Sequence, residues 1–203
     1  MKVEQEGGAT MPDRLPPLYS AFEGTKLLAT GDLREVALRA KEALDHGAEA
    51  PVLIFDDRTS RLVELDLRGQ PGDVLRRLEP PPRRPGRPKL GVVAREVTLL
   101  PQHWEWLAQQ PGGASVALRK LVEEARRGHS DADRRRVAQE ACYRFMHTMA
   151  GDRPGFEDAV RALYAGDRSR FELLTRVWPS DIGNHSRWLA RGALETVAAG
   201  AGA

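Results

Sequence analysis

The sequence predicts an α+β fold: a small antiparallel sheet domain with helices, a central strand–helix–helix unit and a C-terminal helical region. Three observations carry this prediction. Period-two and helical patterns alternate within residues 18–79, one β-branched run precedes two helical patterns within 92–128, and helical spacing alone continues through 129–195.

In the first part, "LYSAFEGTKLLATG" alternates around "EGT" and reads as a hairpin. Asp32 is placed to cap a helix running through His46, with Leu33, Val36, Ala37, Ala40 and Leu44 at helical spacing and Gly47 as its stop. "PVLIFDDRTSRLVELDL" reads as two strands joined at "DDRTS", where Asp and Ser side chains favour a turn. "PGDVLRRLE" adds a short helix, so helices are expected on one face of an antiparallel sheet.

Residues 80–91 form a linker in which Pro80, Pro81, Pro82, Pro85 and Pro88 favour extended backbone. Within 92–128, "REVTLLP" is a short strand ended by Pro101. "QHWEWLAQQ" is a helix with Trp104, Leu107 and Ala108 on one face, and "PGGAS" breaks it so that Ser115 caps the next. That next helix carries Leu118, Leu121, Val122 and Ala125 as one apolar stripe and stops near Gly128. Beyond it, Ser130 and Asp133 form a capping box ahead of Val137, Ala141, Phe145 and Met149. Further helices fit Pro154 to Tyr164, Ser169 to Trp178 and Asn184 to Leu194. Residues 1–17 and 196–203, rich in Gly with Pro or Ala, are expected to be flexible tails.

The net charge of +2 is nearly balanced, but Arg83, Arg84, Arg87, Lys89 and Arg95 occur with no acid between Glu79 and Glu96. A basic arm on a balanced protein points to a site rather than to a general polycation. One cysteine excludes an internal disulfide framework and a Cys-based zinc site. The first residues lack the apolar core of a secretory signal, and no apolar run reaches the length of a membrane span. A cytoplasmic protein without membrane partners is therefore expected.

The strand ending in "LLP", the Trp/Leu helix, the "GGAS" turn and the "LRKLVEEAR" helix resemble the ribbon-helix-helix family of bacterial DNA-binding proteins over residues 95–127. A single strand and two short helices cannot close a core, so a two-fold dimer is expected. It would form through Val97, Leu99, Trp104, Leu107, Leu118, Leu121 and Val122. The resemblance implies that Thr98 faces the major groove and that the backbone around Ser115 holds a phosphate. "RRPGRPK" is similar to an AT-hook, which implies that Arg84, Arg87 and Lys89, with Arg95 beyond them, grip phosphates or the minor groove. "GRPKLGVVAREVTLLP" and "HWEWLA" also resemble an uncharacterised bacterial family, a domain of unknown function. The expected function is DNA binding by a dimeric bacterial transcriptional regulator. The alternative is a dimeric interaction module without DNA binding, which Glu96 and the apolar strand favour. A ligand or protein partner for residues 18–79 is left open.

No pattern for catalysis, metal binding or a cofactor emerges. Cys142 and His147 lie five apart on a helix and cannot meet as nucleophile and base. Asp56, Asp57 and Asp66 are the carboxylates placed to be tested for chemistry, and a turn explains the first two. His46 suits a helix end, and His185 falls near a helix start. Trp104 and Trp106, two apart, are both buried only if neighbours cover two sides of their helix.

Overall fold

Strand β1 (Tyr19–Glu23) turns back into β2 (Lys26–Gly31) across Gly24 and Thr25. Gly24 sits at φ +53°, and an added Cβ would come 2.9 Å from that of Ala50, so glycine is required there. The computed structural model describes residues 18–79 and 95–194. The tails, the linker 80–91 and with it Arg84, Arg87 and Lys89 lie outside the described residues.

Asp32 opens α1 (Leu33–Asp45) by accepting hydrogen bonds from the Arg34 and Glu35 amides at 2.8 and 3.0 Å. His46 closes it, as its sequence position suggests. Val36, Ala37 and Ala40 are buried, whereas Leu44 is exposed. Strand β3 (Val52–Asp56) follows, then the two-residue β4 (Arg61–Leu62) and α2 (Pro71–Arg77). The four strands are antiparallel in the order β2-β1-β3-β4.

Alternation along β1 and β3 divides the sheet's side chains between two clusters. Ala21 and Ile54 pack with Val36 and Ala40 of α1. Phe22 and Phe55 point the other way, into a core built by the C-terminal helices. Those helices are the end of α4 (Gly113–Ala150), α5 (Phe156–Ala165), α6 (Arg168–Thr175), α7 (Ser180–Leu189) and α8 (Arg191–Leu194). Phe145 of α4 stands 5.4 Å from Phe22 and 5.2 Å from Phe55 between ring centres. The Leu27 amide donates to Asp181 at 2.8 Å, and the Arg144 guanidinium donates to the Thr59 carbonyl. The expectation of helices on one face is therefore extended: both faces of the sheet are covered. One compact unit takes in the chain up to Leu78 and again from Val137; the other is Glu79–Arg136.

The second unit departs from expectation in three places. Residues 95–100 form no strand, and Leu100 and Pro101 instead open α3 (Pro101–Ala108) as its cap and first residue. A strand needs a hydrogen-bonding partner, and none is present for this segment among the described residues. Ser115 does not cap: α4 starts at Gly113, and the Ser115 carbonyl already accepts from Arg119 Nε at 3.1 Å. Nor does α4 stop at Gly128. A glycine costs a helix interior only about 1 kcal/mol relative to alanine. The pairs Glu123–Arg126, Asp131–Arg134 and Asp133–Arg136, each three residues apart, support the backbone on either side. Ser130 spends its hydroxyl on Asp131 at 3.3 Å instead of capping.

Candidate functional site

Three places in the chain gather polar chemistry. The first is the basic segment 79–136, with twelve Lys or Arg against seven Asp or Glu, although the whole chain carries only +2. The remainder of the protein is thus net negative, and positive charge is concentrated in this unit. Among the described residues, Arg95, Lys120, Arg127 and Arg135 have no ion-pair partner. Arg95, Val97, Thr98 and Ser115 are exposed, and Leu99 is half-buried. Without a strand, residues 95–100 have no sheet face from which to present Thr98 to a groove or Val97 to a partner. Leu118, Leu121 and Val122 share one side of α4 as the spacing requires. Leu107 is buried and Leu118 half-buried, while Trp104, Trp106, Leu121 and Val122 are 42, 50, 44 and 58% exposed.

The second place is a buried polar cluster across β1, the end of β3 and α7. Ser20 Oγ donates to Asp57 Oδ2 at 2.8 Å and lies 3.0 Å from Thr30 Oγ1 on the neighbouring strand. His185 Nε2 stands 3.3 Å from Asp57 Oδ1, close enough for charge attraction when the ring is protonated. Neither of these two atoms has a hydrogen-bond partner among the described residues. The imidazole is enclosed by Phe22, Phe145 and Trp188, with centroids 5.3, 4.5 and 5.3 Å away. Serine, aspartate and histidine together invite comparison with a nucleophilic triad, but the aspartate is in the middle. The Ser20 hydroxyl donates to the Asp57 carboxylate rather than to the imidazole, and Ser20 is fully buried. The cluster links the sheet to α7.

Asp56, by contrast, is the turn residue expected: its carboxylate accepts from the Arg58 amide at 3.0 Å and the Thr59 hydroxyl at 3.2 Å. Asp66 is exposed beside Arg68 and Arg77. The Arg68 hydrogen bonds hold its carboxyl well below the usual range. Burial pushes the Cys142 thiol up, consistent with a core role; its sulfur lies 3.4 Å from the Ser186 carbonyl. Among the described residues, no group of three His, Cys, Asp or Glu side chains is placed to hold a metal ion.

The third place is a cleft of about 440 Å³ formed by α6, α7 and α8. Arg168, Arg187 and Arg191 line it with Glu172, Asn184 and Trp188. Arg187 is held on both sides: Nη1 donates to Thr175 Oγ1 at 3.1 Å and Nη2 to Asn184 Oδ1 at 2.7 Å. Thr175 is itself fixed, because its hydroxyl donates to the Phe171 carbonyl at 2.9 Å and the residue is fully buried. Gly183 permits this arrangement, since a Cβ there would meet the Thr175 carbonyl oxygen at 2.5 Å. Glu172 accepts from Arg168 Nε at 2.8 Å. That bond, with the charges of Arg168, Arg176 and Arg187, holds the Glu172 carboxyl below its usual value against the opposing effect of burial.

Residues 18–190 match the model of a family described as an uncharacterised protein conserved in bacteria, DUF2239. The chain belongs to this family. The match spans the sheet, α3, α4 and all but the end of the C-terminal helices, so the DUF2239 region includes both compact units. No curated protein and no solved structure matches the chain.

Sequence reasoning missed the Asp57–His185 contact and the arginine cleft. The two partners of the first are separated by 128 positions, and local spacing carries no sign of such a pair. The cleft did leave a sign: Arg187 and Arg191 are four positions apart in the sequence, with Trp188 between them. Arginines are frequent enough on solvated helices that this spacing does not single them out.

Proposed function

We propose that this DUF2239 protein binds duplex DNA through residues 79–136, as a dimeric, non-catalytic regulator of transcription in the bacterial cytoplasm. The observation that carries the reading is the concentration of positive charge in that segment, on a chain whose remainder is net negative. Arg95, Lys120, Arg127 and Arg135, which have no ion-pair partner among the described residues, support it, as do Arg84, Arg87 and Lys89 in the Pro-rich arm. The exposed Leu121 and Val122 supply a surface for self-association. No helix among the described residues is long and apolar enough to cross a membrane.

Fluorescence anisotropy with random duplex DNA over a range of salt tests the reading. Affinity should fall with salt by a log–log slope of about −0.9 per phosphate contact. Replacing Arg84, Arg87 and Lys89 by alanine should flatten that slope by about 2 to 3. Light scattering should give twice the 22.5 kDa chain mass, and Val122→Glu should return the monomer. Absence of duplex binding at about 50 mM salt and tens of micromolar protein overturns the reading. The second reading, a dimeric protein-interaction module, would then hold; the exposed Trp104, Trp106, Leu121 and Val122 favour it.

A further inference from the structure

We propose that the cleft between α6, α7 and α8 binds a small phosphorylated ligand carrying an aromatic ring, a nucleoside monophosphate in size and chemistry. The site lies wholly within the first unit and uses none of the residues assigned to DNA, so either proposal can fail without the other.

The charge of the cleft fits a dianion. Glu172 engages Arg168, which leaves Arg187 and Arg191 as the excess positive charge. Arg187 commits two N–H donors to Thr175 and Asn184, and its other donors have no partner among the described residues. It is anchored through a fully buried threonine, so its orientation is set before any ligand arrives. Arg191, the first residue of α8, is exposed and has no hydrogen bond or ion pair among the described residues. Two guanidinium groups lining one cleft suit a phosphate monoester, which carries about −1.5 to −2 charges near neutrality.

The rest of the lining calls for more than phosphate. Trp188 lies between the two arginines in sequence, is 36% exposed, and stacks on His185 at 5.3 Å and 30°. The buried histidine thus braces the indole, whose exposed part offers a flat apolar surface to a ring. Phe171 and Leu194 add apolar lining. A volume of about 440 Å³ exceeds what a bare phosphate needs and accommodates a small organic ligand.

Isothermal titration calorimetry on the full chain with adenosine monophosphate, inorganic phosphate and adenosine tests the site. Wild-type protein should bind the nucleotide saturably with Kd below about 1 mM, and bind phosphate and adenosine each about ten-fold more weakly. Arg191→Gln should weaken the nucleotide and phosphate about ten-fold and leave adenosine unchanged. Trp188→Leu should weaken the nucleotide and adenosine but not phosphate. Arg191 is exposed and has no partner among the described residues, so its variant should fold; circular dichroism checks both variants. If Trp188→Leu does not fold, the wild-type comparison of nucleotide with phosphate decides the role of the ring. The proposal is overturned if folded wild-type protein gives no saturable nucleotide binding, if Arg191→Gln binds as wild type, or if phosphate binds as tightly as the nucleotide.

Discussion

Asp57 has little freedom in this fold. Its carboxylate is buried, receives the Ser20 hydroxyl and stands against His185, which is walled by aromatic rings. Removing it leaves the buried Ser20 hydroxyl with Thr30 alone and takes away the carboxylate that faces the buried imidazole. Asp57→Ala should cost about 3 kcal/mol of stability, read from urea denaturation. A loss near zero would show that the cluster contributes no net stability. Cys142 makes a different statement, about pH. Burial favours its neutral thiol, so the folded chain keeps the proton where the unfolded chain releases it. The associated stability is full below the thiol's ordinary value of 9.0 and declines as pH rises beyond it. Cys142→Ala should flatten the alkaline limb of the stability–pH curve. The native thiol should also resist alkylation at pH 8 until the protein unfolds.

The long helix α4 is where local punctuation and element length disagree. Gly128 and the Ser130/Asp133 pair read together as a stop and a fresh start, yet the helix passes through both. Gly128 is absent from the glycines with positive φ, so alanine fits its backbone. Gly128→Ala should therefore raise stability, or the helical signal, by about 1 kcal/mol in equilibrium unfolding. Destabilisation by alanine would mean that the helix breaks there in solution. Strand 95–100 fails for the complementary reason. Its β-branched pattern was legible, but a strand is a pairing between segments and its residues have no partner segment in the described chain. The hairpin β1–β2, α1 with its Asp32 cap, and α2 are local structures with local signals, and they form as the sequence indicates.

At the scale of the molecule, the sheet and the C-terminal helices are one folding unit although 58 residues of the other unit separate them. Phe22 and Phe55 are fully buried in a cluster otherwise made by residues 142–194. A fragment of residues 18–79 would expose that face to water. Expressed alone, it should lack cooperative unfolding and bind a hydrophobic dye such as ANS. Mixing it with a fragment covering residues 137–194 should restore a cooperative transition. A fragment 18–79 that folds by itself would show that α1 alone supplies enough core.

What the sequence determined by itself is the α+β class, the hairpin, the capped first helix and the basic character of segment 79–136. Each follows from neighbours in the chain: turn residues, side-chain periodicity, a capping oxygen, a run of charge. Tertiary structure alone decided which helices cover the second face of the sheet, that Asp57 meets His185, and that Arg187 and Arg191 line a cleft with Arg168 and Glu172. The physical reason is common to all three. Amphipathic patterns state that a face must be buried but not against what, because apolar burial is non-directional and roughly proportional to area. Buried polar groups then take the partners that this packing brings within reach, however distant in sequence.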